Sequence, residues 1–212
     1  MKKLTVAALA VATLLSGSAF AHEAGEFFMR AGSATVRPTE GAGGTLGSLG
    51  GFSVTNNTQL GLTFTYMATD NIGVELLAAT PFRHKIGTRA TGDIATVHHL
   101  PPTLMAQWYF GDVSSKFRPY VGAGINYTTF FDNGFNDHGK EAGLSDLSLK
   151  DSWGAAGQVG VDYLINRDWL VNMSVWYMDI DTTANYKLGG AQQHDSVRLD
   201  PWVFMFSAGY RF

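Results

Sequence analysis

The chain has 212 residues, with 18 acidic against 15 basic side chains for a net charge of −3, and no cysteine. Mild acidity gives no electrostatic footprint for nucleic acid, and the missing thiols exclude a disulfide framework and thiolate metal sites. Hydrophobic residues make up 45% of the chain and glycines number 25, which suits strands whose apolar side chains alternate with polar ones.

At the N-terminus, Lys2 and Lys3 precede an apolar run from Leu4 to Leu15 that is too short to span a bilayer comfortably, and Ala19-Phe20-Ala21 forms a small-x-small cleavage site. Residues 1–21 therefore read as a cleaved secretory signal, leaving 22–212 as a single domain that begins at His22. No later stretch offers 18 consecutive apolar residues, so no transmembrane helix is expected. Export combined with alternating strands points to the outer membrane of a Gram-negative bacterium.

The strands are predicted at about 26–37, 57–68, 72–82, 98–110, 117–131, 153–165, 169–180 and 198–212. Short connections lie at Thr69–Asn71, Gly111–Lys116 and Asn166–Asp168, and long polar ones at about 38–56, 83–97, 132–152 and 181–197. Three short and four long connections join eight strands, with both termini on the short-turn side. The expected fold is all-β: an eight-stranded antiparallel transmembrane barrel with short periplasmic turns and long extracellular loops.

The closing strand shows the alternation most clearly. Trp202, Phe204, Phe206, Ala208, Tyr210 and Phe212 share one face, and Val203, Met205, Ser207, Gly209 and Arg211 the other. The outward sets of the remaining strands, such as Leu60, Leu62, Phe64 and Tyr66, or Val171, Met173, Val175 and Tyr177, contain no charge. A Lys or Arg facing lipid at mid-membrane would cost about 2–4 kcal/mol. Aromatic residues gather at strand ends into two girdles: Tyr66, Phe110, Tyr163, Trp169, Tyr210 and Phe212 below, and Phe82, Phe131, Trp153 and Trp202 above.

Eight strands enclose a lumen just wide enough to be filled by side chains or to hold one small ligand, so a water-filled pore is not expected. At the periplasmic end the inward parity carries Glu26, Arg30, Glu75, Gln107, Arg118, Asp162, Asn172 and Arg211. Three cations face three anions there, and their pairing would relieve the cost of burying each charge and form a polar plug. In the upper half, Ala34, Val36, Leu77, Ala79, Thr103, Met105, Trp176, Met178, Val203 and Met205 point inward. Such a wall reads either as plain core packing or as a narrow hydrophobic channel open to the outside, with Leu77 and Trp176 as its bulkiest constrictions. Pro81, Pro101 and Pro102 fall in the upper parts of the neighbouring third and fourth strands, and each removes a ladder donor. They mark either the start of the loops or a frayed seam through which an apolar molecule could slip sideways into the bilayer.

Several stretches together resemble the OmpW family of small outer-membrane proteins, which includes the AlkL-type hydrocarbon-uptake proteins. They are Gly25-Glu26-Phe27-Phe28-Met29-Arg30-Ala31-Gly32, Asn71-Ile72-Gly73-Val74-Glu75-Leu76, Phe117-Arg118-Pro119-Tyr120-Val121-Gly122-Ala123-Gly124, and Gly209-Tyr210-Arg211-Phe212. The resemblance covers residues 22–212. It implies an eight-stranded barrel with a hydrophobic lumen that passes small apolar molecules inward.

No Gly-x-Ser-x-Gly elbow, His-Glu-x-x-His or Walker loop occurs, and no cofactor is expected. His84, His98 and His99 share one loop, with His138 and His194 in others; loop histidines are usually solvated, so no metal is assigned. The run Asp132–Asp137 breaks the EF-hand ligand spacing. A lipid-modifying barrel enzyme would need a Ser or His with an acid, and the nearest approach is His194-Asp195-Ser196, whose adjacency opposes mutual geometry. Passive uptake of small hydrophobic compounds is the leading reading, with outer-membrane lipid and small hydrophobic ligands as partners. The alternative is a surface receptor or adhesin whose loops dock a bacteriocin, a phage or a host partner.

Overall fold

The computed structural model describes residues 22–48, 50–89 and 91–212; the expected secretory signal over 1–21 lies outside them. The first strands are β1 (Phe27–Arg37), β2 (Gly41–Ala42), β3 (Ser53–Val54), β4 (Asn57–Met67), β5 (Ile72–Ala79), β6 (Phe82–Thr88) and β7 (Gly92–Leu100). There follow β8 (Thr103–Tyr109), β9 (Phe117–Phe135), β10 (Leu144–Leu149), β11 (Ser152–Leu164) and β12 (Trp169–Met178). The chain ends with β13 (Asp181–Leu188), β14 (Ala191–Arg198) and β15 (Trp202–Arg211). Two one-turn helices, α1 (Gly44–Ser48) and α2 (Asp137–Glu141), complete it.

Eight of these strands, β1, β4, β5, β8, β9, β11, β12 and β15, form a closed antiparallel ring. β1 pairs with both β4 and β15, and β9 with both β8 and β11, so no barrel edge is left open. Closure is what lipid demands, because an unpaired backbone group has no water to turn to inside a bilayer. The strand alternation becomes a two-sided wall. β15 buries Val203, Met205, Ser207 and Gly209 and exposes Trp202, Phe204, Phe206 and Tyr210.

The long connections are not the irregular loops expected from their polarity. β6 and β7 form a hairpin that joins the upper extension of β9, and β13 and β14 form another, flanked by β10 and β2. Inward parity runs on from barrel to hairpin: Trp176 and Met178 of β12 are followed by buried Ile180, Thr182, Ala184 and Tyr186. Apolar packing therefore extends beyond the barrel as one cluster, from Met105 and Trp176 up to Leu46, Ile94 and Leu144.

The prolines correct two predicted elements. The third strand ends at Ala79 instead of 82, and the predicted fourth strand divides into β7 and β8 at Pro101-Pro102. Proline cannot donate to a ladder, and both ladders stop there. Across Pro81 the burial phase also slips: β5 buries odd positions and β6 even ones. Phe82, expected in the upper lipid-facing girdle, is thereby turned inward and buried.

Packing inside the ring relies on glycine at several close approaches, Gly160 among them. A Cβ on Gly160 would lie 2.4 Å from Cζ of Tyr120, whereas one on Gly157, on the opposite face of β11, meets nothing within 4 Å. Gly160→Val should destabilise the folded barrel by about 1–3 kcal/mol through overpacking, and Gly157→Val should leave it nearly unchanged. Urea unfolding in lipid vesicles, followed by tryptophan emission, measures both.

Candidate functional site

The floor of the lumen is built around Arg30. Its guanidinium is fully buried and pairs with Glu75 on one side and Asp162 on the other. Nε donates to Asp162 Oδ1 at 3.1 Å, one terminal nitrogen donates to Thr65 Oγ1 at 3.1 Å as well as to Glu75, and the other to the Tyr109 hydroxyl at 2.8 Å as well as to Asp162. All five donors of the fork are thus engaged. Gln107 and Gln158 each donate to Glu75 Oε1, at 2.7 and 2.9 Å, and Asn172 donates to Asp162 Oδ1 at 2.7 Å. Full satisfaction offsets the large cost of taking three charges out of water.

The other predicted floor residues divide. Arg211 pairs with Glu26 as a second ion pair. Arg118 is buried at the same end, but it donates to the carbonyl oxygens of Asp70 at 2.7 Å and Phe110 at 3.1 Å instead of to an expected anion. His22, which no strand parity could place, joins the two ion pairs. It lies 2.9 Å from Asp162 and 3.3 Å from Glu26, with its ring stacked 4.3 Å from Phe28. Phe28, Met67, Tyr109, Tyr120, Leu164 and Leu170 form a small apolar cluster at this end, so the plug is partly greasy. A histidine ahead of the first strand has no periodicity to reveal it, although the inward positions of Phe28, Tyr109 and Tyr120 follow the same parity as Arg30, Gln107 and Arg118.

Above the floor the inward side chains change character within two residues on β5, from Glu75 to Leu77, and on β8, from Gln107 to Met105. Leu77, Met105, Trp176, Met178, Val203 and Met205 are all buried and belong to one cluster with Ala34 and Val36. Trp176 donates its indole N–H to Ser174 Oγ at 3.1 Å, which satisfies the only polar atom of the ring.

The prolines sit beside this wall. The β5–β8 ladder stops at Leu77↔Thr103, just below Pro102. On the β9 side the break is closed, since Tyr127 N donates to Pro102 O at 3.0 Å and Asn126 Nδ2 to Thr103 Oγ1 at 2.8 Å. Beyond Thr80 N, which donates to Leu60 O, β4 meets the β6 hairpin through side chains: Asn57 Oδ1 accepts from Arg83 N at 3.3 Å and Gln59 Oε1 from Thr80 Oγ1 at 3.1 Å. Around Pro81, side-chain contacts replace the continuous backbone ladder found elsewhere in the ring.

Comparison with known proteins agrees with this architecture. The profile of the OmpW family matches residues 23–212. The chain belongs to the OmpW family. Outer membrane protein W of Escherichia coli (strain K12) is 99% identical over 212 residues, covering all of both chains. The crystal structure of the outer membrane protein OprG from Pseudomonas aeruginosa matches with a TM-score of 0.82 and 44% identity, over 91% of this chain and 98% of that one. The solid-state NMR structure of outer membrane protein AlkL in DMPC lipid bilayers matches with a TM-score of 0.69 and 26% identity, over 90% and 92%. This OmpW-family chain is an outer-membrane barrel protein.

The extracellular part of this family member gathers some of the predicted loop residues and separates others. His84 and His99 meet, with their Nε2 atoms 2.9 Å apart, while His98 turns to the outside beside Phe131. His194 is bonded to Asn185. Asp195, by contrast, is buried and accepts from the N–H groups of Thr45 and Leu46 and from the Tyr186 hydroxyl at 2.7 Å. It orders the start of α1 and forms no dyad with His194. Among the described residues, the carboxylates of Asp179, Asp181 and Asp200 come within 4.8 Å of one another at the surface.

Two measurements follow from these sites. Arg30→Leu strands two buried carboxylates and should cost about 3–5 kcal/mol of stability. Converting Glu75 and Asp162 to Gln and Asn in the same chain should restore most of it, as read by urea unfolding in vesicles. The second concerns His99, outside the membrane. Burial, with repulsion from His84 and His98, pushes its pKa down to about 3. The unfolded ring protonates near 6.5, so its contribution is intact above that pH and erodes as pH falls toward 3. The urea midpoint should therefore drop less between pH 7.5 and 4.5 in His99→Phe than in the native chain.

Proposed function

We propose that the barrel passes small hydrophobic molecules from the outside into the outer membrane. The observation that carries this reading is the continuous apolar cluster, which runs from the extracellular hairpins down to Leu77 and Trp176 and ends on a sealed network of charges. A neutral apolar molecule gains from such a wall, and a polar one loses its hydration without replacement. Trp176, with Leu77, Met105, Met178, Val203 and Met205, is the gate that must shift for a ligand to descend. Arg30, Glu75 and Asp162, with Glu26 and Arg211, bar the straight path to the periplasm. The remaining exit is sideways, between β5 and β8, where Pro81, Pro101 and Pro102 interrupt the ladder.

A second reading, docking of a bacteriocin, phage or host partner, draws support from an open polar cleft of about 630 Å³ on the extracellular side, lined by Lys150, Asp181 and Arg198. It concerns the outer surface and leaves the lumen free for uptake.

The absence of native cysteine allows a direct test of the exit. Cysteines placed at Thr80 and Leu100, joined by a short bis-methanethiosulfonate crosslinker, should abolish most uptake of an apolar fluorescent probe into proteoliposomes, and reduction should restore it. Unchanged uptake after complete crosslinking would sink the sideways route. Trp176→Ala should raise the uptake rate, while lowering stability by about 3–5 kcal/mol.

A further inference from the structure

Above the lumen wall, a hydrogen-bond chain in the β6–β7 hairpin ends on an unused acceptor. His84 Nδ1 is bonded to the carbonyl oxygen of Thr55, which can only accept, so this nitrogen carries the proton. Burial pushes the His84 pKa down and keeps its ring neutral, so Nε2 is a lone pair. That lone pair faces His99 Nε2 at 2.9 Å, and the contact requires His99 to donate from Nε2. In neutral His99 the proton is then spent, and Nδ1 is left as a bare acceptor. His99 is 2% exposed, and its Nδ1 is buried with no hydrogen-bond partner among the described residues.

The two rings are fixed from both sides. Phe82 stacks on His99 with centroids 5.5 Å apart, the His84 ring meets it edge to edge with centroids 4.9 Å apart, and Phe130 packs at 5.9 Å. Both histidines line a small cavity of about 10 Å³ together with Val36, Val54, Ile180 and Leu199. Val36, Val54, Ile180 and Leu199 all belong to the cluster that continues down to Trp176. One hydrogen-bond acceptor is thus set into the apolar wall at its extracellular end.

We propose that His99 Nδ1 anchors a binding site for neutral apolar molecules that carry a hydroxyl group, namely alcohols and phenols. The inference rests on the uptake reading and names the substrate class of the same lumen. An alkane leaves the acceptor unsatisfied, and a carboxylate brings no donor. An ammonium group would have to shed its hydration against aliphatic side chains. A hydroxyl supplies the single proton that the ring lacks, while its tail lies along Val36 and Ile180 toward Trp176. The cavity is narrower than an alkyl chain, so Ile180 and Leu199 must repack on binding. The acceptor itself needs no movement, because Thr55 and His84 hold its tautomer.

The test uses the full mature barrel, labelled with ¹⁵N-histidine, in phosphocholine micelles at pH 7.5, with 1-octanol and octane added at equal mole fraction in the micelle. Octanol should shift the His99 Nδ1 resonance in the direction of an acceptor gaining a hydrogen bond, and octane should not. Octanol should also bind about five- to tenfold more tightly than octane, the value of one added neutral hydrogen bond. His99→Phe should erase that preference while leaving octane binding in place. Equal binding of both probes with an unmoved Nδ1 signal overturns this site but leaves hydrophobic uptake standing. Failure of both probes to perturb Trp176 or the histidines overturns the uptake reading as well. A His99 Nδ1 that is already protonated before any ligand is added overturns the tautomer assignment and the proposal with it. Should His99→Phe not reach the folded, heat-modifiable form on a gel, the resonance shift in the native chain decides alone.

Discussion

Arg30 occupies a place in the barrel where a charge has no water to retreat to, and its neighbours are arranged accordingly. Glu75 and Asp162 take it from two sides, and Gln107, Gln158, Asn172, Tyr109 and two threonines use up the remaining donors and acceptors. A half-satisfied version of this network would be worse than an apolar core, because every orphaned group keeps its full desolvation cost. Side chains from β1, β4, β5, β8, β11 and β12 are drawn into one cross-lumen net. The seal at the periplasmic end and the stability of the ring therefore share one cause.

That seal gives the upper half of the molecule its meaning. In the proposed uptake, a molecule descending the apolar lumen meets a closed polar floor, which turns attention to the wall. Most of the wall is a continuous ladder. Around Pro81 it is not, and side-chain contacts from Asn57 and Gln59 stand in for backbone pairing. The same proline resets the phase of β6, which turns Phe82 and His84 inward and builds the histidine pair over the lumen. The prolines that end the ladders thus also furnish the histidine pair above them.

Much of this was legible from the order of residues. Alternation in β15, β12 and β4 separates lipid-facing Phe204, Val175 and Leu62 from inward Met205, Trp176 and Thr63 without any coordinates. Arg30, Glu75 and Asp162 could be grouped at one end by counting along each strand from its turn. Arg118 could be placed at the right height, but its partners are carbonyl oxygens, and every residue type offers one of those. Phe82 was misassigned because a parity count assumes an unbroken strand, and Pro81 breaks it. The polar composition of the long connections concealed their hairpins, since strands above the membrane bury only one sparse apolar row, such as Val97 and Ile86, or Ala184 and Tyr186.

The side on which a residue falls is a property of the extended backbone itself, renewed every two residues, so it is written in the chain and survives any change of partner. Height above the turn is nearly as local. Partnership across the lumen is different, because it depends on how far each strand is staggered against the next when the ring closes. That closure brings residue 30 to residue 162, and it carries His22 from ahead of the first strand to Asp162 and Glu26. Likewise, the register of a single hairpin brings His84 to His99, and the tautomer chain beginning at Thr55 leaves one nitrogen bare. Alternation alone marks the chain as a barrel for lipid, and the stagger of its strands determines what that barrel can hold.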